Sequence, residues 1–171
     1  NAEKYCLRVT VNVGRGKRMD RSSWITHLFG CKGVLHHEAG TDFLETTDKT
    51  RLQIIHYQAI NQNSSFQEIF DRFFKHYQNP ISGRAISSRH FEAIATKTCQ
   101  VMFPGRFNDI LKADEHYIAI NRNFSNIDNV MSRFLDESYR QKMVDHVYEY
   151  ALDSHTYNHR IDHLLRCVGA A

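Results

Sequence analysis

The sequence is poor in the features that define a disulfide scaffold, a membrane span or a nucleic-acid binder. Its four cysteines form no C-x-x-C pair, and Cys99 falls in an apolar segment, which favours reduced thiols over a disulfide framework. No apolar run approaches the roughly 18 residues that a membrane span requires, and no signal peptide is visible. The net charge of +3 is small and dispersed, unlike the clustered charge of a nucleic-acid-binding protein. We therefore expect a cytoplasmic protein without a transmembrane segment whose partner is not a nucleic acid.

A dinucleotide-binding fingerprint is also missing. Gly14-Arg15-Gly16 follows an alternating, valine-rich segment at residues 7–13, but Met19 stands where G-x-G-x-x-G requires its third glycine. The basic residues of this loop add positive charge, although a basic turn is usually a solubilising loop.

Length and composition predict a single domain over residues 1–171. A chain of 171 residues with 42% hydrophobic residues is long enough for one well-buried core and short for two. Hydrophobic periodicity predicts an alternation of strands and helices along this domain. The predicted N-caps include Ser22 or Ser23 for the first helix and Ser65 for a later one. The expected strands are 7–13, 34–36, 99–103 and 117–120, and the expected helices are 22–29, 52–60, 65–77, 87–95, 127–135, 139–152 and 157–168.

The most informative segment spans residues 87–120. Ser87 or Ser88 can cap a helix whose apolar face leaves Glu92 on the polar side. A capping box needs a spacing of three residues, so Ser88 does not account for this carboxylate. Two apolar strands follow, separated by a turn at Pro104-Gly105. Helix, strand, loop and strand predict an α/β fold with an open, Rossmann-like parallel sheet and flanking helices.

At these residues the sequence resembles a known family. The segment RHFEAIATKTCQ, from Arg89, is similar to the R-x-FEA-x-A-x-G-T segment of bacterial glycosyltransferases with two Rossmann-like domains, the GT-B architecture, and especially of their CgeB-like, group 1 branch. The resemblance extends back through Trp24, Leu28 and HHEAGTDF, and forward through HYIAINRNFSNID to SHTYNHRIDHLL. Two residues depart from the pattern, because Arg84 replaces the first of two glutamates spaced E-x7-E and Lys97 replaces a glycine.

The resemblance implies a nucleotide-sugar-binding domain, the C-terminal half of a GT-B enzyme that transfers the sugar to an acceptor. An N-terminal half is then expected on the native polypeptide, and the isolated chain is expected to be inactive. Such enzymes need no metal and no cofactor, since the nucleotide sugar is a substrate. The alternative is a noncatalytic nucleotide- or protein-binding module of the same fold, which the departures at Arg84 and Lys97 support.

In this interpretation the helix that begins near Ser87 binds the nucleotide. Glu92 accepts hydrogen bonds from the ribose diol, a charge-assisted contact worth about 1.5 to 3 kcal/mol. The backbone amides near Ser87, Ser88 and Arg89 and the positive end of the helix hold the phosphates. The alternative role for Glu92 is an exposed pair with Arg89, worth about 0.2 to 0.5 kcal/mol.

Further candidates lie where strands would end at the carboxyl edge of the sheet, the place where ligands of open α/β folds bind. Arg106 follows Gly105, so its amide and guanidinium are expected to face the leaving diphosphate, with Asn108 nearby; the alternative is a solvated turn. Three residues of the HHEAGT segment, Glu38, Gly40 and Thr41, are expected to line the same edge, with a tight turn as the alternative.

The eleven histidines raise a third possibility, a metal-binding interaction domain. His155, His159 and His163 share a helix face at i, i+4 and i+8. No nearby cysteine or acidic pattern completes a recognised site, although Asp162 lies beside His163. We therefore predict no metal at these residues.

Overall fold

The computed structural model describes residues 3–11, 19–41, 45, 47–76 and 83–169. Contacts divide the chain into two compact units, one formed by residues 1–38 with 86–171 and the other by residues 39–85. The elements of the first unit are α1 (Arg21–Phe29), β1 (Gly33–His36), α4 (Ser88–Ala95), β2 (Cys99–Met102), β3 (Ile118–Ala119), α5 (Ile127–Leu135), α6 (Glu137–Ser154) and α7 (Tyr157–Cys167). Those of the second unit are α2 (Lys49–Ile60) and α3 (Phe66–Phe73).

The first unit is built on a parallel three-stranded sheet with the order β1-β2-β3. Gly33 is paired with Cys99, and Val101 with Ile118. This open parallel sheet with flanking helices confirms the predicted α/β, Rossmann-like fold class. Because the three strands run in one direction, all their carboxyl ends lie at the same edge of the sheet.

The buried strand β2 separates two apolar clusters. Met102 packs with Ile94 of α4 and Val147 of α6 in one cluster, whereas Val101 packs with residues of α5 and α6 in the other. Successive residues of a strand point to opposite faces, so a strand whose four residues are all buried requires cover on both sides. The helices supply that cover and fix the edges of the sheet.

The second unit contains the helical pair α2 and α3. The rings of Tyr57 and Phe73 meet edge to face with centroids 5.7 Å apart, and the Ser65 hydroxyl accepts a hydrogen bond of 3.2 Å from the Glu68 backbone N–H. Ser65 was the predicted cap of this helix. The helix ends at Phe73, before the predicted end at residue 77, because the chain turns at residues 74–76. Residue 77 itself lies outside the described residues.

The predicted strand at residues 7–13 is wrong over its described part. Residues 7–11 have no regular structure, and Val9 and Val11 are 57% and 72% exposed. An alternating pattern stabilises a strand only when its apolar face is buried. The side chains of these two valines are not buried. Residues 12 and 13, with the basic loop that follows, lie outside the described residues. The helix after it was predicted to begin at Ser22 or Ser23, but its cap is Asp20, which accepts a bond of 2.9 Å from the Ser23 N–H.

Helix α4 ends in a Schellman motif centred on Lys97. The Thr98 N–H donates to the Ala93 carbonyl at 2.9 Å, and the Lys97 N–H donates to the Ile94 carbonyl at 3.0 Å. This arrangement requires a left-handed residue, and Lys97 has a φ of 52°. Glycine is the residue that adopts this conformation without strain. The glycine of the resembling family at this position therefore has a conformational explanation.

We expect Lys97→Gly to be more stable than Lys97→Ala by about 1 kcal/mol, because alanine carries the left-handed penalty that glycine avoids. Both variants remove the exposed ion pair between Lys97 and Asp145, 2.7 Å in length, so its loss cancels in the comparison. Urea denaturation of the two variants measures the difference. Equal stabilities would contradict the left-handed conformation at this residue.

Candidate functional site

The candidate site lies at the carboxyl edge of the sheet in the first unit. Glu38 follows β1, and Gly105 and Arg106 follow β2. Helix α4 ends just before the amino end of β2, at the opposite edge of the sheet. The first turn of α4 therefore lies at the carboxyl edge. The Ile86 backbone N–H, just before α4, donates to Asn108 Oδ1 at 2.8 Å. This bond joins the start of α4 to the loop after β2.

The first turn of α4 offers backbone donors to an anion. Ser87 is the N-cap and forms a capping box with His90, in which the Ser87 N–H donates to His90 Nδ1 at 3.1 Å. Ser88 and Arg89 are exposed, and within the described ranges their backbone N–H groups have no hydrogen-bond partner. Unpaired amides at the positive end of a helix are a common phosphate site. The predicted helix start at Ser87 is confirmed, while its phosphate role stays a prediction.

Glu92 is held by a tryptophan. The indole Nε1–H of Trp24, on α1, donates to Glu92 Oε2 at 2.8 Å. Among the residues that the structure describes, Arg89 forms no ion pair with Glu92, so the alternative pairing is not observed. Over the same residues Glu92 Oε1 has no hydrogen-bond partner. The carboxylate is therefore oriented through one oxygen, and in the described part of the chain the other oxygen has no protein partner.

Glu38 supports the loop after β2. Its side chain is buried, 8% exposed, and Oε1 accepts a hydrogen bond of 2.8 Å from the Phe107 N–H. A Cβ atom added at Gly105 would lie 2.5 Å from Glu38 Oε2, so only glycine leaves room for this carboxylate. These contacts agree with the alternative prediction for this segment, a tight turn in which Glu38 is hydrogen-bonded.

The residues that follow Arg106 form an unusual left-handed turn. Phe107, Asn108 and Asp109 have φ values of 45°, 55° and 59°, in a region that costs a non-glycine residue about 1 to 2 kcal/mol. Hydrogen bonds from the Phe107 N–H to Glu38 and from the Ile86 N–H to Asn108 hold it in place. The turn fixes the backbone that presents Gly105 and Arg106 to solvent.

Arg106 is an exposed arginine with an acidic neighbour. Its Nη2 lies 2.7 Å from Asp109 Oδ2, and this hydrogen bond raises the pKa of Arg106 and lowers the pKa of Asp109. Gly105 and Arg106 line an open depression of about 380 Å³ together with Lys112 and Tyr117. The pair with Asp109 partly neutralises the guanidinium, so a diphosphate must compete with that carboxylate for it.

A half-buried histidine and a fully buried one meet at the start of α4. The rings of His36, at the end of β1, and His90 have centroids 5.3 Å apart. Burial lowers the pKa of His36 to about 4, and the nearby His90 and Arg89 act in the same direction. Burial likewise lowers the pKa of His90. Both imidazoles are thus neutral near pH 7 and add no positive charge to the site. Both rings contribute packing, and His90 also contributes the hydrogen bonds that cap α4.

Gly40 and Thr41 belong to the second unit, apart from the other candidates. Gly40 has a φ of 91°, and an added Cβ would lie 2.0 Å from the Gly83 carbonyl oxygen. Ala39 and Ala85 form an antiparallel bridge beside it. Glycine is therefore required here by the backbone of this unit, and the ligand role of both residues stays a prediction. Phe43, at the end of the HHEAGTDF segment, lies outside the described residues.

Sequence reasoning missed two residues of this site. Trp24 was noted only within the family resemblance, yet it positions Glu92. His90 was not considered, yet it closes the capping box that begins α4. The usual signal for such a box is Glu or Gln at the third helical position. A histidine at this position does not match the usual capping-box pattern.

The three histidines near residue 160, His155, His159 and His163, do not share a helix face as predicted, because His155 is the C-cap of α6 and α7 begins only at Tyr157. His159 Nδ1 accepts from the Thr156 N–H at 3.2 Å and completes the cap of α7, and His155 contacts Arg160. Within the described part of the chain, these residues and His163 do not bring their ligand atoms together as a metal-binding group. The prediction that they bind no metal stays a prediction.

The α/β fold agrees with the comparison to known families. The glycosyl transferase-like family matches residues 33–166, which covers β1 through almost all of α7. The chain belongs to this family, and its activity class is glycosyl transfer. No curated protein and no solved structure matches the chain.

The helices carry no sign of a membrane span. Throughout the described ranges, none combines the length and the apolar character needed to cross a bilayer. The predicted absence of a transmembrane segment is confirmed over those residues.

Proposed function

We propose that the chain binds the nucleoside-diphosphate part of a sugar donor at the first turns of α4. The observation that supports this proposal most strongly is the hydrogen bond from Trp24 Nε1–H to Glu92 Oε2, 2.8 Å in length. It orients a carboxylate whose Oε1 has no protein partner among the described residues, on a helix whose first amides are also unpaired within those residues. A nucleoside diphosphate needs these two features together, an acceptor for its ribose diol and donors for its phosphates.

The spacing along α4 suits such a ligand. Ser88 and Glu92 are four residues apart and therefore lie on one face of the helix, separated by one turn of about 5.4 Å. The phosphates would lie at the Ser88 and Arg89 amides, and the ribose would lie further along the same face, at Glu92. A single rigid helix thus positions both parts of the donor.

The remaining candidates serve the leaving group. When the glycosidic bond to the diphosphate breaks, negative charge develops on its oxygens. The positive end of α4 and the backbone amide and side chain of Arg106 can stabilise that charge without a metal ion or another cofactor. One preorganised donor of this kind is worth about 3 to 4 kcal/mol of transition-state stabilisation. Glu38 acts indirectly, since it holds the loop that carries Arg106.

The acceptor belongs to a second domain in our proposal. GT-B catalysis takes place in a cleft between two Rossmann-like domains, and this chain resembles the donor-binding, C-terminal one of the CgeB-like branch. The 171-residue chain alone would then bind the donor and transfer no sugar, because nothing positions the acceptor against it. A cytoplasmic location fits a substrate that is a nucleotide sugar.

A noncatalytic module of the same fold is the second candidate. Arg84 supports it, because it replaces the first glutamate of the E-x7-E pair. Lys97 no longer distinguishes the two candidates, since the Schellman motif explains the preference for glycine there. A domain that binds nucleotides without any transfer by the full-length protein would fit this candidate.

We expect thermal unfolding to detect the donor nucleotide among UDP, GDP, ADP, TDP and CMP. A ligand at 100 times its dissociation constant stabilises the folded state by about 2.7 kcal/mol, or roughly 5 to 10 °C for a domain of this size. The matching nucleoside should give a smaller shift, because it lacks the diphosphate that binds the helix amides. Inorganic pyrophosphate controls for non-specific anion binding. No shift with any nucleotide at millimolar concentration would contradict the proposal.

A further inference from the structure

Three side chains from two separate parts of the chain converge at the amino end of β3. Glu115 and His116 come just before this strand, and His146 lies on α6. Glu115 Oε1 is 3.4 Å from His116 Nε2 and 3.9 Å from His146 Nε2. The ligand atoms of all three residues lie within 4.8 Å of one another.

His116 is the buried member of this group. The residue is 2% exposed, and its Nε2 atom is buried without a hydrogen-bond partner. The ring stacks on Tyr150, with centroids 4.3 Å apart, which fixes its plane. An imidazole nitrogen that is buried, without a hydrogen-bond partner among the described residues and directed at a carboxylate is a group suited to bind a cation.

The distances match a small divalent cation. In a tetrahedral zinc site with Zn–N and Zn–O bonds of about 2.0 to 2.1 Å, neighbouring ligand atoms are about 3.3 to 3.4 Å apart. The observed 3.4 Å and 3.9 Å, with all ligand atoms within 4.8 Å of one another, lie at or above this spacing, and rotation of the exposed His146 side chain can close the gap. We propose that Glu115, His116 and His146 bind a divalent transition-metal ion, with zinc as the best fit to two imidazoles and one carboxylate. A water molecule would complete the coordination.

Two groups around the site oppose the ion. Lys112 Nζ lies 3.5 Å from Glu115 Oε2, the oxygen that faces away from the histidines. The Lys112 backbone N–H lies 3.2 Å from His116 Nδ1, whereas a metal on Nε2 requires the ring proton to move to Nδ1. The Ile110 carbonyl accepts a hydrogen bond from the His116 ring. Because Nε2 has no partner among the described residues, this carbonyl is the acceptor for a proton on Nδ1. Both effects lower the affinity, so we expect binding in the micromolar range.

The ion would have a structural role. His116 precedes β3, so it lies at the edge of the sheet opposite the carboxyl ends, where the donor site is proposed. A cation here joins the segment before β3 to α6 and adds a link between parts of the chain 30 residues apart in sequence (146 − 116). The site is therefore independent of the proposed donor binding, and each proposal can fail alone.

Titration calorimetry of the metal-free protein with ZnCl₂ tests the inference. We expect one ion per chain and at least tenfold weaker binding in both His146→Ala and Glu115→Gln, each of which changes an exposed ligand and leaves the core intact. His56→Ala, an exposed histidine on α2, is the matched control and should bind as the wild type does. Cobalt(II) should give the intense visible absorption of a tetrahedral complex with the wild type and lose it with His146→Ala.

Two results would overturn the inference. One is no zinc binding by the wild type at 100-fold excess of metal over protein in a buffer that does not bind zinc. The other is the same stoichiometry and affinity in His146→Ala and Glu115→Gln as in the wild type, which would place the ion at other histidines. Circular dichroism of each variant confirms that an observed loss reflects the ligand and not unfolding.

Discussion

Replacing Glu38 with alanine should lower the free energy of unfolding by about 2 to 3 kcal/mol. The variant removes a charge-assisted hydrogen bond of that order and leaves the buried Phe107 N–H without its acceptor. The lost contact is 2.8 Å long and joins the end of β1 to the loop after β2. The same hydrogen bond helps to hold Phe107, Asn108 and Asp109 in the left-handed region, a conformation that is unfavourable for residues other than glycine. Guanidinium or urea denaturation measures the change.

Two companion variants show whether the hydrogen bond is the cause. Glu38→Gln keeps an amide oxygen as acceptor, so we expect it to lose less than half as much stability. Glu149→Ala removes an exposed carboxylate on α6 and should change the stability by less than about 0.5 kcal/mol. A loss in Glu38→Ala as small as that in Glu149→Ala would show that the left-handed turn does not depend on this carboxylate.

The local parts of the fold were predictable from the sequence because local interactions determine them. Helix α5 was predicted with its observed bounds, since its apolar residues recur at helical spacing. Ser65 and Ser87 were recognised as caps because an N-cap acts within three residues of its own position. The sheet class followed from the order of helices and strands, which restricts the possible connections.

The parts of the site that depend on distant residues were not predictable. Trp24 and Glu92 are 68 positions apart, and no periodicity relates them. The sequence also gave no sign of the left-handed turn after Arg106, because phenylalanine rarely adopts that conformation. The segment at residues 7–11 shows the opposite failure, a strand-like pattern without a neighbouring strand to pair with. Tertiary contacts decide each of these cases.

Replacing Glu92 with glutamine should weaken nucleotide binding about tenfold to a hundredfold, a loss of about 1 to 3 kcal/mol. Glutamine keeps the size of the side chain and an oxygen that can accept from Trp24 Nε1–H. The position of the side chain is thus preserved, while the charge that strengthens a hydrogen bond to the ribose diol is removed. The melting temperature without ligand should remain nearly unchanged, because Glu92 is not the cap of α4.

Measuring the affinity and the melting temperature together separates a ligand role from a structural one. Glu149→Gln makes the same chemical change on an exposed face of α6 and should leave both quantities unchanged. Trp24→Phe removes the indole donor but keeps an aromatic ring, so Glu92 loses its orientation and the affinity should fall, by less than in Glu92→Gln. If Glu92 serves only to bond Trp24, Glu92→Gln will lower the melting temperature slightly and bind nucleotide as tightly as the wild type. Equal affinities of this kind would rule out the ribose contact and leave the carboxylate as a link between α1 and α4.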